Sequence, residues 1–295
     1  MKKIGIIITT FQRDELLFKS IESIKANWQD NFELIIVDQT NEPENLTYKK
    51  FYFSSLITKQ IHYEWKRVPY NSGLSYCRNF GVQKANELGC DYCLIASDSF
   101  LFNESVKKIN HIVNILDDTW YDLIGMELSG CVCDWEARLK LIESESFELD
   151  FINKIKSLST EYLTEATPSI EWENEDGSPA LIGDVIHIHD CDIMRNFFIA
   201  KTATLLDVQW DNNLKLGEHE DFFWRYKQEG YKCGWTNYID AEKMKDRPDE
   251  YTKLRKINFN AGLAYLRKKY NMSGWVTYKN LSRAKIGLFQ KKGNK

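Results

Sequence analysis

Apolar residues in the first 125 positions fall into short blocks that alternate between the period of a strand and that of a helix. The run at 4–9, with Ile4, Ile6, Ile7 and Ile8 ahead of Thr9, reads as a strand, and 14–26 as a helix with Leu17, Ile21 and Ile24 on one face. A second strand is expected at 33–37, a polar loop at 39–45, a short strand at 61–65 and a helix at 74–88. A strand at 92–96, a helix at 104–116 and a strand at 123–127 complete the series. Strands interleaved with helices predict an α/β fold with a mostly parallel central sheet flanked by helices.

From 130 to 183 the pattern gives way to acidic and aromatic sequence with turn signals at Thr167-Pro168-Ser169 and Asp176-Gly177-Ser178-Pro179, as expected of an inserted lobe over a site. A strand at 195–200 and a helix at 220–229, stopped by Gly230, restore the alternation. One more helix is expected at 259–270, ahead of a basic tail. The boundaries read as one domain over 1–246, with halves 1–127 and 128–246, followed by a helical, basic extension over 247–295.

Composition narrows the class. With 43% hydrophobic and 14% aromatic residues in 295, there is material for a large core. A net charge of −4 gives no basic field of the kind that holds nucleic acid. The opening apolar run is too short for a signal peptide and no stretch approaches the ~20 residues of a membrane helix, so a cytoplasmic protein is expected, with peripheral membrane contact only through the basic C-terminus. Seven cysteines, an odd number, argue against a disulfide framework. Cys90-x-x-Cys93 with Cys131-x-Cys133 has the form of a zinc site, but Cys93 opens an apolar strand, and buried thiols are the expectation.

In an open α/β sheet ligands lie beyond the carboxyl ends of the strands. Four polar clusters stand there: Thr9-Thr10-Phe11-Gln12-Arg13, Val37-Asp38-Gln39-Thr40, Ser97-Asp98-Ser99-Phe100 and Glu218-His219-Glu220-Asp221. His187-Ile188-His189-Asp190, with Asp192, puts two histidines on one side of a strand, a pattern that an edge strand explains without a metal. Of Trp135, Trp172, Trp210, Trp224 and Trp235, some are expected in the core and one or two against a sugar ring.

These segments resemble the family 2 glycosyltransferases of the GT-A fold, which open on an apolar strand, Thr-x-aromatic-x-Arg, a helix and a second strand ending in Val-Asp. Here the counterparts are Thr9-Thr10-Phe11-Gln12-Arg13 and Val37-Asp38. Asn71-Ser72-Gly73-Leu74-Ser75-x-x-Arg78-Asn79-x-Gly81 resembles the family's Asn-x-Gly and Arg-Asn-x-Gly stretch. Asn196-Phe197-Phe198-Ile199-Ala200, Trp210-Asp211 and Glu218-His219-x-x-Phe222-Phe223 are similar, more narrowly, to the β-1,4-N-acetylgalactosaminyltransferases. The resemblance spans residues 3 to about 240, and the order of the segments makes it specific.

What the resemblance implies is a GT-A, Rossmann-like fold whose first half binds the nucleotide and whose second half binds the acceptor. The activity would be inverting transfer from a UDP-sugar to a glycan or lipid-linked hydroxyl, in polysaccharide biosynthesis at a bacterial or viral surface. Thr9, Phe11 and Arg13 would wall the base and ribose, Asp38 would accept from the uracil imide, and Arg78 would offer a donor fork to the diphosphate. Asn71, Gly73, Ser97, Asp98 and Ser99 would complete the donor site. Asp38 as a turn acid and Arg78 as a surface charge are the competing readings. The base that takes the acceptor proton is expected in the acid run, in the order Glu220, Glu218, Asp221, with Asp221 at ion-pair spacing from Arg225.

Two departures bear on the cofactor. The family's Asp-x-Asp, which holds Mn²⁺ or Mg²⁺ against the diphosphate, is reduced here to Ser97-Asp98-Ser99, and an Asp-His pair after the last strand becomes Asp240-Ala241. The expectation is that no metal is required, with Asp98 the one candidate ligand, and that cations take its place. Lys243, Lys245 and Arg247, on a loop after Asp240, and Arg255, in Tyr251-x-x-x-Arg255, are the candidates, against the reading of an exposed basic loop balanced by Glu242, Asp246 and Asp249. A catalytically silent nucleotide- or sugar-binding protein is the alternative. A nucleotidyltransferase ranks last, because no Gly-rich phosphate loop follows the first strand.

Overall fold

The computed structural model describes residues 1–40, 43–57, 61–129, 138–139, 186, 188–245 and 248–270. The lobe expected over 130–183, apart from a two-residue strand, lies outside the described residues, as do Cys131, Cys133, Trp135, Trp172, His187, Arg247 and the tail from 271.

The expected alternation forms β1 (Ile4–Thr10), α1 (Asp14–Ala26), β2 (Phe32–Asp38), α2 (Pro43–Ile57), β3 (Tyr63–Arg67), α3 (Leu74–Glu87) and β4 (Tyr92–Ser97). After these come β5 (Phe100–Phe102), a 3₁₀ turn Glu104–Lys108, α4 (Ile109–Asp118), β6 (Leu123–Ser129) and the short β7 (Arg138–Leu139). Then β8 (His189–Cys191), β9 (Ile193–Met194), β10 (Phe198–Lys201), α5 (Thr202–Val208), α6 (His219–Gln228), β11 (Cys233–Lys243) and α7 (Asp249–Lys269) follow.

The main sheet runs β3-β2-β1-β4-β10-β6-β11-β5, with β8 paired to β11. It is parallel through β3, β2, β1 and β4. The second half is mixed, because β10 enters antiparallel to both β4 and β6. Every residue of β1 and β2 is buried, as parallel strands covered on both faces require. One face packs Ile4, Ile6 and Ile8 under α1, α2 and α4 through Leu17, Ile21, Phe53 and Ile112. The other packs Ile7, Ile35 and Val37 under α3, α5, α6 and α7 through Val82, Leu205, Phe222 and Leu266. Cys77, Cys90, Cys93, Cys191 and Cys233 are buried thiols in this second layer.

Several boundaries move. The polar loop expected over 39–45 is cut short by α2, which starts at Pro43, a residue suited to a first helical position. The helix expected over 104–116 begins as a 3₁₀ turn, and the strand expected at 195–200 begins only at Phe198, after Arg195 has donated from Nη1 to the Leu128 carbonyl at 2.6 Å. The last helix starts ten residues before its expected position. It buries only Tyr251, Gly262 and Leu266, so the apolar period is too sparse to mark its first half.

That helix is fastened to the body at both ends. Near its start Tyr251 meets Phe11 with ring centroids 6.1 Å apart, and in the middle Asn258 donates to Asn71 Oδ1 at 2.8 Å. Gly262 lies so close to the loop before α6 that a Cβ would stand 2.2 Å from the Leu216 carbonyl oxygen. At its end Lys269 Nζ donates to Asp211 and Asp221, both at 2.7 Å, while Tyr265 donates to Asp211 and Tyr270 to Asp221.

Desolvation works against the Asp211 carboxylate, but Lys269, Asn213 and Tyr265 outweigh it and bring its pKa from 3.8 to about 2. A depressed carboxyl adds stability above its unfolded pKa and loses it as pH falls toward the folded one. Asp211→Asn should therefore cost about 1 kcal/mol at pH 7, allowing for its partial exposure. The gap to wild type in urea unfolding should close as pH is lowered from 4 toward about 2.

Candidate functional site

At the carboxyl edge of the parallel strands, the turn between β1 and α1 is set by Gln12 at φ 54°, its N–H donating to Thr40 Oγ1 at 3.0 Å. The turn leaves Phe11 facing Tyr70 at 5.4 Å and puts Arg13 at the start of α1. From there the Arg13 guanidinium forks onto Asp98, Nε to Oδ2 at 3.2 Å and Nη2 to Oδ1. Asp98 has no solvent exposure. Its Oδ2 also accepts from Thr10 Oγ1 at 2.9 Å and its Oδ1 from Ser97 Oγ at 3.1 Å. Burial pushes the Asp98 carboxyl up, while Arg13, Thr10 and Ser97 pull against it. Ser97 and Ser99 share a hydroxyl contact at 3.1 Å.

Asp38, at the end of β2, is buried and holds a turn of its own, Oδ1 accepting from the Thr40 N–H at 2.9 Å. Its Oδ2 accepts from Lys49 Nζ at 2.8 Å and Trp65 Nε1 at 3.3 Å. Lys49 lies 2.8 Å from Asp14 as well, so one buried lysine ties α2 to both acids. Asp38 thus has the partners of a turn acid while standing at the expected edge of the sheet.

The loop before α3 brings Asn71 (φ 51°) and Gly73 (φ 96°) to the same edge. Gly73 is required twice over, by its left-handed backbone and because a Cβ would lie 2.4 Å from Lys215 Cα. Its N–H donates to Gln39 Oε1 at 2.9 Å. Arg78 is not a surface charge. It is buried, donates to Glu218 Oε1 at 2.5 Å and lies 5.5 Å over the Trp210 ring. Desolvation would raise the Glu218 carboxyl, but the Arg78 guanidinium, a backbone hydrogen bond and His219 together hold the group below the usual range.

In the rest of the acid run, His219 is buried, with Nδ1 3.0 Å from Asn196 Oδ1, and burial lowers its pKa to about 4, so it is neutral at pH 7. Asp221 pairs with Arg225 at 2.9 Å, as the spacing indicated, and with Lys269. Glu220 is buried in the first turn of α6. The run is therefore no solvated helix start.

The basic residues divide. Lys243 was expected on a loop but is the last residue of β11, because the strand runs on through Asp240 and Ala241 to pair with β5. Ala241 is fully buried there and Asp240 accepts from Asn103 at 2.8 Å. The Met244 N–H then donates to the Ser99 carbonyl at 2.8 Å, which brings Lys243 and the exposed Lys245 beside the Asp98 turn. Arg255 donates from Nη1 to the Tyr251 hydroxyl at 3.3 Å, and the face of that ring lies 4.6 Å from Arg13 Cζ. Tyr251 and Lys49 had no expected role. The spacing of Tyr251 four residues before Arg255 was the available signal for the first, and nothing local marks the second.

Outside this edge, Asp190 accepts from the Tyr121 hydroxyl and Asp192 pairs with Lys227 at 2.8 Å. Trp210 stacks on Phe222 at 4.2 Å, and Trp235 is also buried. Among the described residues no group of three His, Cys, Asp or Glu side chains is placed to hold a metal ion, and no helix is long and apolar enough to cross a membrane.

A family model described as glycosyl transferase family 2 matches residues 5–158. Among solved structures, S. aureus TarS 1–349 is 12% identical with a TM-score of 0.53, over 95% of this chain and 68% of that one. The same protein in complex with UDP is 13% identical with a TM-score of 0.52, over 98% and 76%. GalNAc-T7 with UDP, GalNAc and Mn²⁺ is 12% identical with a TM-score of 0.55, over 97% of this chain and 53% of that one. At these identities the solved structures establish the GT-A fold.

Arg78 and Glu218 form a buried pair, and removing one member strands the other charge. Arg78→Met should cost about 3 kcal/mol in urea unfolding, and Arg78→Met with Glu218→Gln should recover at least half of that loss. Simple additivity would show that the two do not act as a unit.

Proposed function

Because the chain belongs to glycosyl transferase family 2, we propose that it transfers a hexose or N-acetylhexosamine from a UDP-sugar to a hydroxyl of a glycan or lipid-linked acceptor, with inversion at the anomeric carbon. The observation that carries this reading is the convergence of Phe11, Arg13, Asp38 and the Ser97-Asp98-Ser99 turn on one edge of β1, β2 and β4. TarS, described in complexes with UDP and UDP-GlcNAc, and GalNAc-T7, described with UDP and GalNAc, support the choice of uridine donor.

Phe11 and Tyr70 offer apolar faces to the base and ribose, and Asp38 accepts from the uracil imide by exchanging one of its present donors. Inversion needs a base on the side of the anomeric carbon away from the leaving group. Its carboxylate takes the acceptor O–H proton as the acceptor oxygen bonds to that carbon. The bond from the carbon to the diphosphate oxygen breaks, and its electron pair leaves with UDP. The acid run supplies that base, with Glu220, buried in the first turn of α6, placed ahead of Glu218, whose carboxyl Arg78 helps to hold below the usual range. A carboxylate held by a guanidinium is the weaker base.

A panel of UDP-sugars assayed for UDP release with glycan acceptors tests the activity. Glu220→Gln should lower kcat by about 10²–10⁴ with donor affinity preserved. If the panel gives no turnover while UDP still binds, the alternative of a silent nucleotide-binding protein stands. A Glu220→Gln variant with wild-type kcat would move the base elsewhere.

A further inference from the structure

The fold family implies a divalent ion beside the acid that follows β4, and the residues present do not fit one. A carboxylate has about four lone-pair sites, and at Asp98 four donors fill them: Arg13 Nε and Thr10 Oγ1 on Oδ2, Arg13 Nη2 and Ser97 Oγ on Oδ1. The positions on either side are Ser97 and Ser99, and Ala241 is packed inside the sheet. An ion could enter only by expelling the half-buried Arg13 guanidinium from its buried carboxylate.

We propose that the Arg13 guanidinium is the resident cation of the donor-diphosphate site and that Tyr251, on the C-terminal helix, is the positioning residue that holds it there. This rests on the UDP-sugar reading above. Arg13 is fixed on two sides, by the Asp98 fork and by the Tyr251 ring 4.6 Å from Cζ. Its third nitrogen, Nη1, makes no hydrogen bond to protein among the described residues, and it is the donor left for a phosphate oxygen. The Tyr251 hydroxyl holds a second guanidinium, accepting from Arg255 Nη1 at 3.3 Å. One side chain thus gathers two arginines beside the Ser97-Asp98-Ser99 turn, and the end of β11, joined to Ser99 by the Met244 N–H, adds Lys243 and Lys245. Because Asp98 neutralises Arg13, the net positive charge offered to the diphosphate comes from Arg255 and the exposed Lys245, and Arg13 supplies direction.

Calorimetry with UDP and with UMP, each in excess EDTA and again in excess MnCl₂, tests the assignment on the full chain. Wild type should bind UDP equally in both conditions. Arg13→Ala should weaken UDP binding by about 10- to 100-fold, the range for a hydrogen bond to a charged group, and UMP binding by much less. Tyr251→Ala should weaken UDP by about 5- to 10-fold, and Tyr251→Phe, which keeps the ring under Arg13, by no more than about threefold. Where Arg13→Ala does not fold, Arg13→Lys, which keeps the charge without the fork, should show the same preference of loss for UDP over UMP. Tenfold tighter UDP binding in Mn²⁺ overturns the inference, as does a Tyr251→Ala variant that binds UDP like wild type. Equal losses for UDP and UMP overturn it too, since the contact would then not be to the diphosphate. A wild type that binds neither nucleotide overturns the UDP-sugar reading itself and this inference with it.

Discussion

A carboxylate with no solvent exposure at the end of a central strand has to be met by a cation, and the edge of this sheet is arranged around how Asp98 meets that demand. The partner is Arg13, and bringing it there fixes the rest. The chain leaves β1 through a left-handed residue at Gln12, pinned by Thr40 just after β2, so that Arg13, the residue that caps α1, reaches the Asp98 turn after β4. Strand ends adjacent in the sheet are thereby joined by side chains as well as by backbone ladders. The same arrangement sets Phe11 toward Tyr70 and leaves one nitrogen of Arg13 without a hydrogen bond to protein among the described residues.

The C-terminal helix binds this centre to the acid run. At its start Tyr251 covers Arg13, and at its end Lys269 and Tyr270 hold Asp221. Between those points Asn258 and Gly262 press on the loops that carry Asn71 and Leu216, both of which lead into the site. Only three residues of this helix are buried, with Leu263 and Tyr265 packed beside Leu266. Polar ties at both ends do the fastening, and they make the segment after β11 part of the site's wall.

The first half of the fold was legible because fully buried parallel strands leave an unmistakable trace: the runs at 4–8, 34–37 and 92–96 hold no polar side chain on either face. The second half was harder for a physical reason. β10 owes its place to antiparallel pairing with two strands distant in sequence, and β11 continues three residues past Asp240 because β5 is there to receive it. The site divided the same way. Strand-end motifs located Arg13, Asp38 and Asp98, and helical spacing found the Asp221 and Arg225 pair. The partnerships that decide what each group does, Arg13 with Asp98, Lys49 with Asp38 and Arg78 with Glu218, cross 85, 11 and 140 positions, and local pattern carries no information about them.

Two guanidiniums, the half-buried Arg13 and the buried Arg78, therefore stand at this edge, and each is already balanced by a carboxylate. Balanced pairs give direction more than field: their donors are rigid and dry, but their net charge is zero. In the proposed donor site a diphosphate would find its counter-charge in exposed cations, and the end of β11 and the first turns of α7 are where Lys245 and Arg255 would offer it. Such a division of labour separates two properties that a divalent ion would combine. In that proposed site geometry would come from pairs that salt screens little and attraction from surface charges within reach of the solvent ions, so that affinity for the nucleotide would weaken with ionic strength while the shape of the site is kept.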